Sequence, residues 1–179
     1  MKQFFRSLYI NPLIYFVLSA EVVLLVLGFF FPALYIIGKY ALALIILLLA
    51  ADIYMLYANK NGIEGLRRTP ERFSNGDENI VKIEVTNRYV FSVTLNVIDE
   101  LPEQFQSRGL QFRMHLPSAG RDNISYAVTP KKRGEYHYGA LNVYASGPLR
   151  LFTRRYRFSA DKMVPVYPSF IQMRKYELL

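Results

Sequence analysis

Two long apolar runs near the N-terminus constrain this chain more than any other feature. Leu13 to Phe31 is 19 residues with a single charge, Glu21, and Tyr40 to Tyr57 is 18 residues with only Asp52. At about 1.5 Å per helical residue each run reaches roughly 27–28 Å, close to the thickness of a hydrocarbon core. Pro32 breaks the first run, and the second extends back towards Leu34 if Lys39 snorkels to the interface. Lys2 and Arg6 ahead of the first run also invite reading it as a cleaved signal peptide. The stretch is too long for that, Leu18 and Ala20 make a poor cleavage site, and a second span follows at once. The expectation is therefore a retained hairpin: residues 1–12 outside the membrane, helices over 13–31 and 40–57, and a turn from Pro32 to Lys39 too short to hold a function.

The flanking bases set an orientation. Lys2 and Arg6 precede the first span, Lys60, Arg67, Arg68 and Arg72 follow the second, and only Lys39 lies between them. The positive-inside rule places both ends in the cytoplasm. The chain has no Trp, so Tyr9, Tyr15, Tyr35, Tyr40, Tyr54 and Tyr57 must form any aromatic belt. Ionisable groups at membrane depth are costly. Asp52, five residues from the end of its run, is expected to reach the interface. Glu21, near mid-span without a basic partner, is expected to be protonated or to contact a helix of another copy or a partner.

Beyond residue 59 the composition changes. Residues 1–59 hold three of the 22 Lys and Arg and two of the 14 acids, so nearly all of the net charge of +8 belongs to the remainder. The hydrophobic period changes too, from helical to alternating. Val81, Ile83 and Val85 alternate with Lys82, Glu84 and Thr86. Val93, Leu95 and Val97, then Leu110, Phe112, Met114 and Leu116, follow the same rule. Ile124, Tyr126 and Val128, then Tyr136 and Tyr138, then Leu141 and Val143 continue it. Such runs are half-buried strands, and Ser74-Asn75-Gly76-Asp77, Leu101-Pro102, Pro117 to Gly120, Arg133-Gly134 and Ser146-Gly147-Pro148 are the turns between them. Six to eight short strands over residues 63–168 suggest an antiparallel, immunoglobulin-like β-sandwich. The parity shift at Gly139-Ala140 reads as a β-bulge. Gly62 and Gly65 read as a linker, and Gly134 as a turn residue with positive φ.

Several blocks carry a resemblance. They are Asn87 closing a strand; Asp99-Glu100-Leu101-Pro102; Pro130-Lys131-Lys132-Arg133-Gly134-Glu135-Tyr136 with Gly139; Gly147-Pro148-Leu149; and Val166-Tyr167-Pro168. In this order, behind a membrane hairpin, the chain resembles the bacterial domain-of-unknown-function family 58 (DUF58) over essentially its whole length. The longer members of that family continue into a von Willebrand factor type A-like domain. This chain has no Asp-x-Ser-x-Ser metal-site motif, so a metal role of that domain does not carry over. The amphipathic tail, residues 169–179, is expected to lead towards a downstream domain that is absent here. The resemblance implies a MoxR-type AAA+ ATPase, or another membrane protein of the same system, as partner.

Chemistry leaves fewer traces. With no cysteine, disulfides and thiolate chemistry are excluded. His115 and His137 fall on polar strand phases and read as solvated, and no phosphate-cradling Gly-rich loop is present. Asp99, Glu100 and Glu103 read as carboxylates solvating a strand end. The sharpest charge feature is Lys131-Lys132-Arg133, a solvated turn first and a candidate contact for anionic lipid or a partner second. Nucleic acid is not expected, because the many Tyr lie on core-facing phases. Neither a cofactor nor an enzymatic activity is expected. The function read from the sequence is a membrane-tethered interaction or assembly module, with an envelope-facing binding module or a lipid-contacting surface domain as the alternative.

Overall fold

The computed structural model describes residues 6–106, 109–158 and 162–168. A short strand, β1 (Leu8–Ile10), leads into helix α1 (Pro12–Phe30) and then α2 (Pro32–Ala58). Asn11 caps α1, its side chain accepting the Leu13 N–H, and Pro12 occupies the first turn, where a missing N–H costs nothing. Phe31 is extended at φ −127° and is the only residue between the helices, because Pro32 opens α2 at once. The expected eight-residue turn from Pro32 to Lys39 is thus helix, and the second helix is 27 residues, about 40 Å long. Both helices are long and apolar enough to cross a membrane. Two glycines let them approach: a Cβ on Gly28 would lie 2.8 Å from the Tyr35 Cα, and one on Gly38 2.7 Å from Leu25 Cδ2.

Ten strands follow. They are β2 (Ile63–Arg68), β3 (Phe73–Ser74), β4 (Asn79–Asn87), β5 (Val93–Asp99), β6 (Leu110–Leu116), β7 (Arg121–Val128), β8 (Gly134–Tyr138), β9 (Leu141–Ser146), β10 (Phe152–Phe158) and β11 (Lys162–Tyr167). One sheet has the order β1-β10-β9-β5-β6; β2-β4-β7 and β3-β11-β8 form two three-stranded sheets. The inner phases of β4, β5 and β9 carry Val81, Ile83, Val85, Leu95, Val97 and Val143, all fully buried in one core. The alternation read from the sequence is therefore the pleat of a β-sandwich.

Four expectations change. β2 replaces the expected linker, with Gly65 set against the Phe158 ring at a distance that a Cβ would reduce to 2.8 Å. Gly139-Ala140 is no bulge: there the chain leaves the sheet of β8 and enters the sheet of β9. The pairing of β3 with β11 is parallel. The strands number more than eight, because β10 and β11 carry charges or proline at positions that break alternation.

Register gives the sandwich two poles. Ile63, just after α2, pairs with Asn87, while Asn79 pairs with Val128 at the other end of β4. Asn87 gathers the hairpin pole: its amide donates to Phe91 O and Pro117 O at 2.9 and 2.8 Å, and its Oδ1 accepts the Tyr89 N–H. Around Val128 at the distal pole lie Gly76, whose N–H donates to Pro130 O, and Tyr167, whose carbonyl accepts the Asn75 N–H. Nine residues of β4 separate the poles by roughly 27 Å.

Gly134 opens β8 at φ +136°, as its place in the turn predicts, with open space where a side chain would stand. Only backbone strain then opposes substitution. Gly134→Val should lower unfolding stability by about 1–3 kcal/mol, read as a lower urea midpoint with unchanged slope; an unchanged midpoint would contradict it.

Candidate functional site

The residues brought together most densely lie where α2 meets the sandwich. Asp52, six residues before the end of α2, is fully buried. Its Oδ2 accepts the backbone N–H of Leu151 at 3.1 Å and of Phe152 at 2.8 Å, at the entry to β10. The sequence predicts only that Asp52 reaches the membrane interface; the structure gives it a partner as well, two amides at the entry to β10 that would otherwise be unpaired inside the junction. Gly147 makes room, since a Cβ there would stand 3.2 Å from Asp52 Oδ1.

One turn later, Arg154 closes the C-terminus of α2. Its Nη1 donates to Leu56 O at 2.5 Å and Asn59 O at 2.8 Å, and its Nη2 to Lys60 O at 2.9 Å. A cation at a helix C-terminus answers both the unpaired carbonyls and the helix dipole. The guanidinium lies 4.5 Å from the Tyr57 ring centre and 4.6 Å from that of Tyr156, which adds cation–π attraction. Tyr89 completes the joint, its hydroxyl 2.6 Å from both Leu56 O and the Tyr156 hydroxyl. Burial pushes both phenols up, so they remain protonated donors. The Tyr89 ring occupies the space beside Gly62, where a Cβ would approach to 2.1 Å.

The N-terminal segment joins the same assembly. Leu8, Tyr9 and Ile10 pair with Arg154, Thr153 and Phe152, and Ser7 Oγ lies 2.9 Å from the Tyr57 hydroxyl. Arg6, Tyr57, Lys60, Arg154, Arg155 and Arg157 line a cleft of about 1160 Å³ beside this joint, and no acid lines it among the described residues.

A second polar cluster ties the sheets together farther from the hairpin. Arg67 Nη1 pairs with Asp99 Oδ1 at 2.8 Å, both side chains fully buried, and Arg67 Nη2 donates to Gly139 O at 2.7 Å. Tyr126 donates to Asp99 Oδ2 at 2.5 Å. Burial pushes the Asp99 carboxyl up, while the Arg67 guanidinium and the Tyr126 hydroxyl oppose that shift. Glu100 accepts from the Ala140 N–H and the Asn142 amide. Asp99 and Glu100 do not solvate a strand end, as the sequence suggests; they are structural acceptors spent on named donors.

Comparison with known proteins adds only fold likeness. No family model matches the chain, and no curated protein matches it. Among solved structures it is similar to a PapD-like domain of human CEP192, with a TM-score of 0.45 and 16% identity over 60% of this chain and 87% of that one. It is also similar to the CARDB domain of a Pyrococcus furiosus protein, with a TM-score of 0.38 and 11% identity over 59% of this chain and 94% of that domain.

The residues singled out in the sequence fall in different places. Glu21 is only 5% exposed and faces Gly38 of its own hairpin, its Oε1 without a hydrogen-bond partner among the described residues. Lys131, Lys132 and Arg133 form an exposed turn at the distal pole, with the Tyr136 hydroxyl donating to Lys132 O. That placement separates them from the end of the hairpin by the length of the sandwich. His115 and His137 are exposed, and among the described residues no group of three or more His, Asp and Glu is arranged to hold a metal. The tail, residues 169–179, lies outside the described residues. The Asp52 and Arg154 joint carries no local sequence signal, because its partners are about a hundred residues away in the chain.

Asp52→Leu should strand two buried N–H groups, at about 1–3 kcal/mol each. Asp52→Asn keeps an acceptor and should cost clearly less. Hydrogen exchange at Leu151 and Phe152 reads the difference; equal protection in both variants and the wild type would refute the role of Asp52.

Proposed function

We propose that this chain is a membrane-tethered, non-enzymatic interaction module: a hairpin anchor that holds an immunoglobulin-like sandwich upright on the cytoplasmic face of a bacterial inner membrane. The observation that carries this reading is the joint between α2 and β10. A flexible linker would leave the sandwich free to tumble; a helix capped by Arg154 and holding β10 through Asp52 fixes its hairpin pole downward. The distal pole, with the turn at Lys131-Lys132-Arg133, is then the surface presented to a partner.

Flanking charge argues for the side of the membrane, and strand pairing for the number of crossings. The bases flanking the hairpin follow the positive-inside rule. Independently, β1 pairs with β10, which supports an even number of crossings, with the segment before α1 on the same side as the sandwich. The apolar surfaces of α1 and α2 support membrane insertion: Phe16, Phe29 and Phe30 are 73%, 85% and 69% exposed, far more than the core helices of a water-soluble protein.

The resemblance to the DUF58 family supplies the partner class, a MoxR-type AAA+ ATPase or another membrane protein of the same system. Tethering raises the effective concentration of even a weak binder at the bilayer. A reporter-fusion map tests the orientation. A fluorescent protein fused after Pro168 should fluoresce, and alkaline phosphatase fused at the same place should be inactive. Active phosphatase there would put the sandwich outside the membrane and overturn the reading.

A further inference from the structure

We infer that the cleft beside the joint is a binding site for the phosphate of an anionic phospholipid headgroup in the same bilayer. This rests on the membrane reading above and adds a ligand to it. Three observations support it. The first is charge: among the described residues five bases, Arg6, Lys60, Arg154, Arg155 and Arg157, line one cleft and no acid does. The second is the division of labour among those bases. Arg154 is committed to helix carbonyls, and Arg155 is held by Asn142 Oδ1 at 2.8 and 3.0 Å, so both are fixed positive charges with neutral partners. Arg6, Lys60 and Arg157 surround them on the exposed rim. A preorganised pair with exposed cations around it suits an anion that arrives from outside.

The third observation is depth. Ile14 of α1 lies beside Leu48 and Leu49 of α2 around a small apolar space that Leu151 also lines, so α1 begins about level with Asp52. From there α2 continues to Ala58, six residues or roughly 9 Å beyond its partner. With the paired lengths filling the hydrocarbon core, this overhang spans the headgroup layer, about 5–8 Å thick. Tyr57 and Lys60, which line the cleft, therefore sit at phosphate level. The hydroxyls of Tyr9 and Tyr57 at the cleft suit the same interface. The basic turn at the distal pole lacks this placement, although its three bases match in number the three on the cleft's exposed rim.

The test uses the full chain in detergent and native mass spectrometry of the retained lipid. Phosphatidylglycerol should bind at least about tenfold more tightly than phosphatidylcholine, the scale expected for a few surface charges. The variant Arg6→Gln/Lys60→Gln/Arg157→Gln should lose that preference, and Lys131→Gln/Lys132→Gln/Arg133→Gln should keep it. Equal retention of the two lipids by the wild type, or an unchanged preference in the first variant, would overturn the site. Complete displacement of phosphatidylglycerol by millimolar inorganic phosphate would also overturn it, by identifying a soluble anion as the ligand. Carbonate extraction of membranes separates this from the anchor: all three proteins should stay in the pellet. Wild-type protein released by carbonate would sink the membrane reading itself.

Discussion

One carboxylate decides how the two halves of this protein relate. Asp52 belongs to a helix whose other residues are almost all apolar, yet it is fully buried, and its two acceptor contacts are strand amides. A buried acceptor facing two N–H groups is worth little net as a bond, but removing it leaves both donors unsatisfied, which is the larger effect. Arg154 repeats the logic with the signs exchanged, a strand cation on the carbonyls at and just beyond the helix end. The two contacts lie on successive turns at the end of α2 and at the start of β10, so they resist bending in the same place. Everything else about the orientation of the sandwich depends on that joint.

The rest of the sandwich is built to transmit the constraint. Asn87 ties the loops of the hairpin pole, while Arg67, Asp99 and Tyr126 connect β2, β5 and β7 across the core. Replacing a buried ion pair by apolar groups is often neutral, so its value here is in register and in fixing which strands face each other. The Tyr126 phenol, pushed up by burial and by the Asp99 charge, stays a donor, and the cluster keeps its hydrogen-bond pattern. With strands running pole to pole, the distance of the distal turn from the hairpin is set by strand length.

What the sequence revealed depended on whether a residue's partner was its neighbour or far away. The alternation at Val81, Ile83 and Val85 and at Val93, Leu95 and Val97 is local, and those side chains are core. The apolar runs likewise predict helices, although Pro32 opens a helix where it reads as a break, because proline suits a first turn as well as an end. β2 hid behind Gly62 and Gly65, whose missing side chains make room for Tyr89 and Phe158. β10 hid because Arg154 and Arg155 occupy adjacent positions, one turned to the helix end and the other to Asn142. Asp52 looked like an interfacial charge, since nothing near it in the chain announces amides 99 and 100 residues on.

The most direct test of the account is the depth of each pole above a bilayer. The chain has no cysteine, so single spin labels can be placed through Val90→Cys, in the exposed β4–β5 loop at the hairpin pole, and Lys132→Cys at the distal pole. In liposomes, paramagnetic relaxation by lipid-soluble and water-soluble agents should place the first label within the headgroup layer and the second in bulk water, roughly 27 Å farther out. Equal depths for the two labels, or both freely accessible to the aqueous agent, would show a sandwich that does not stand on its hairpin and would contradict the central claim.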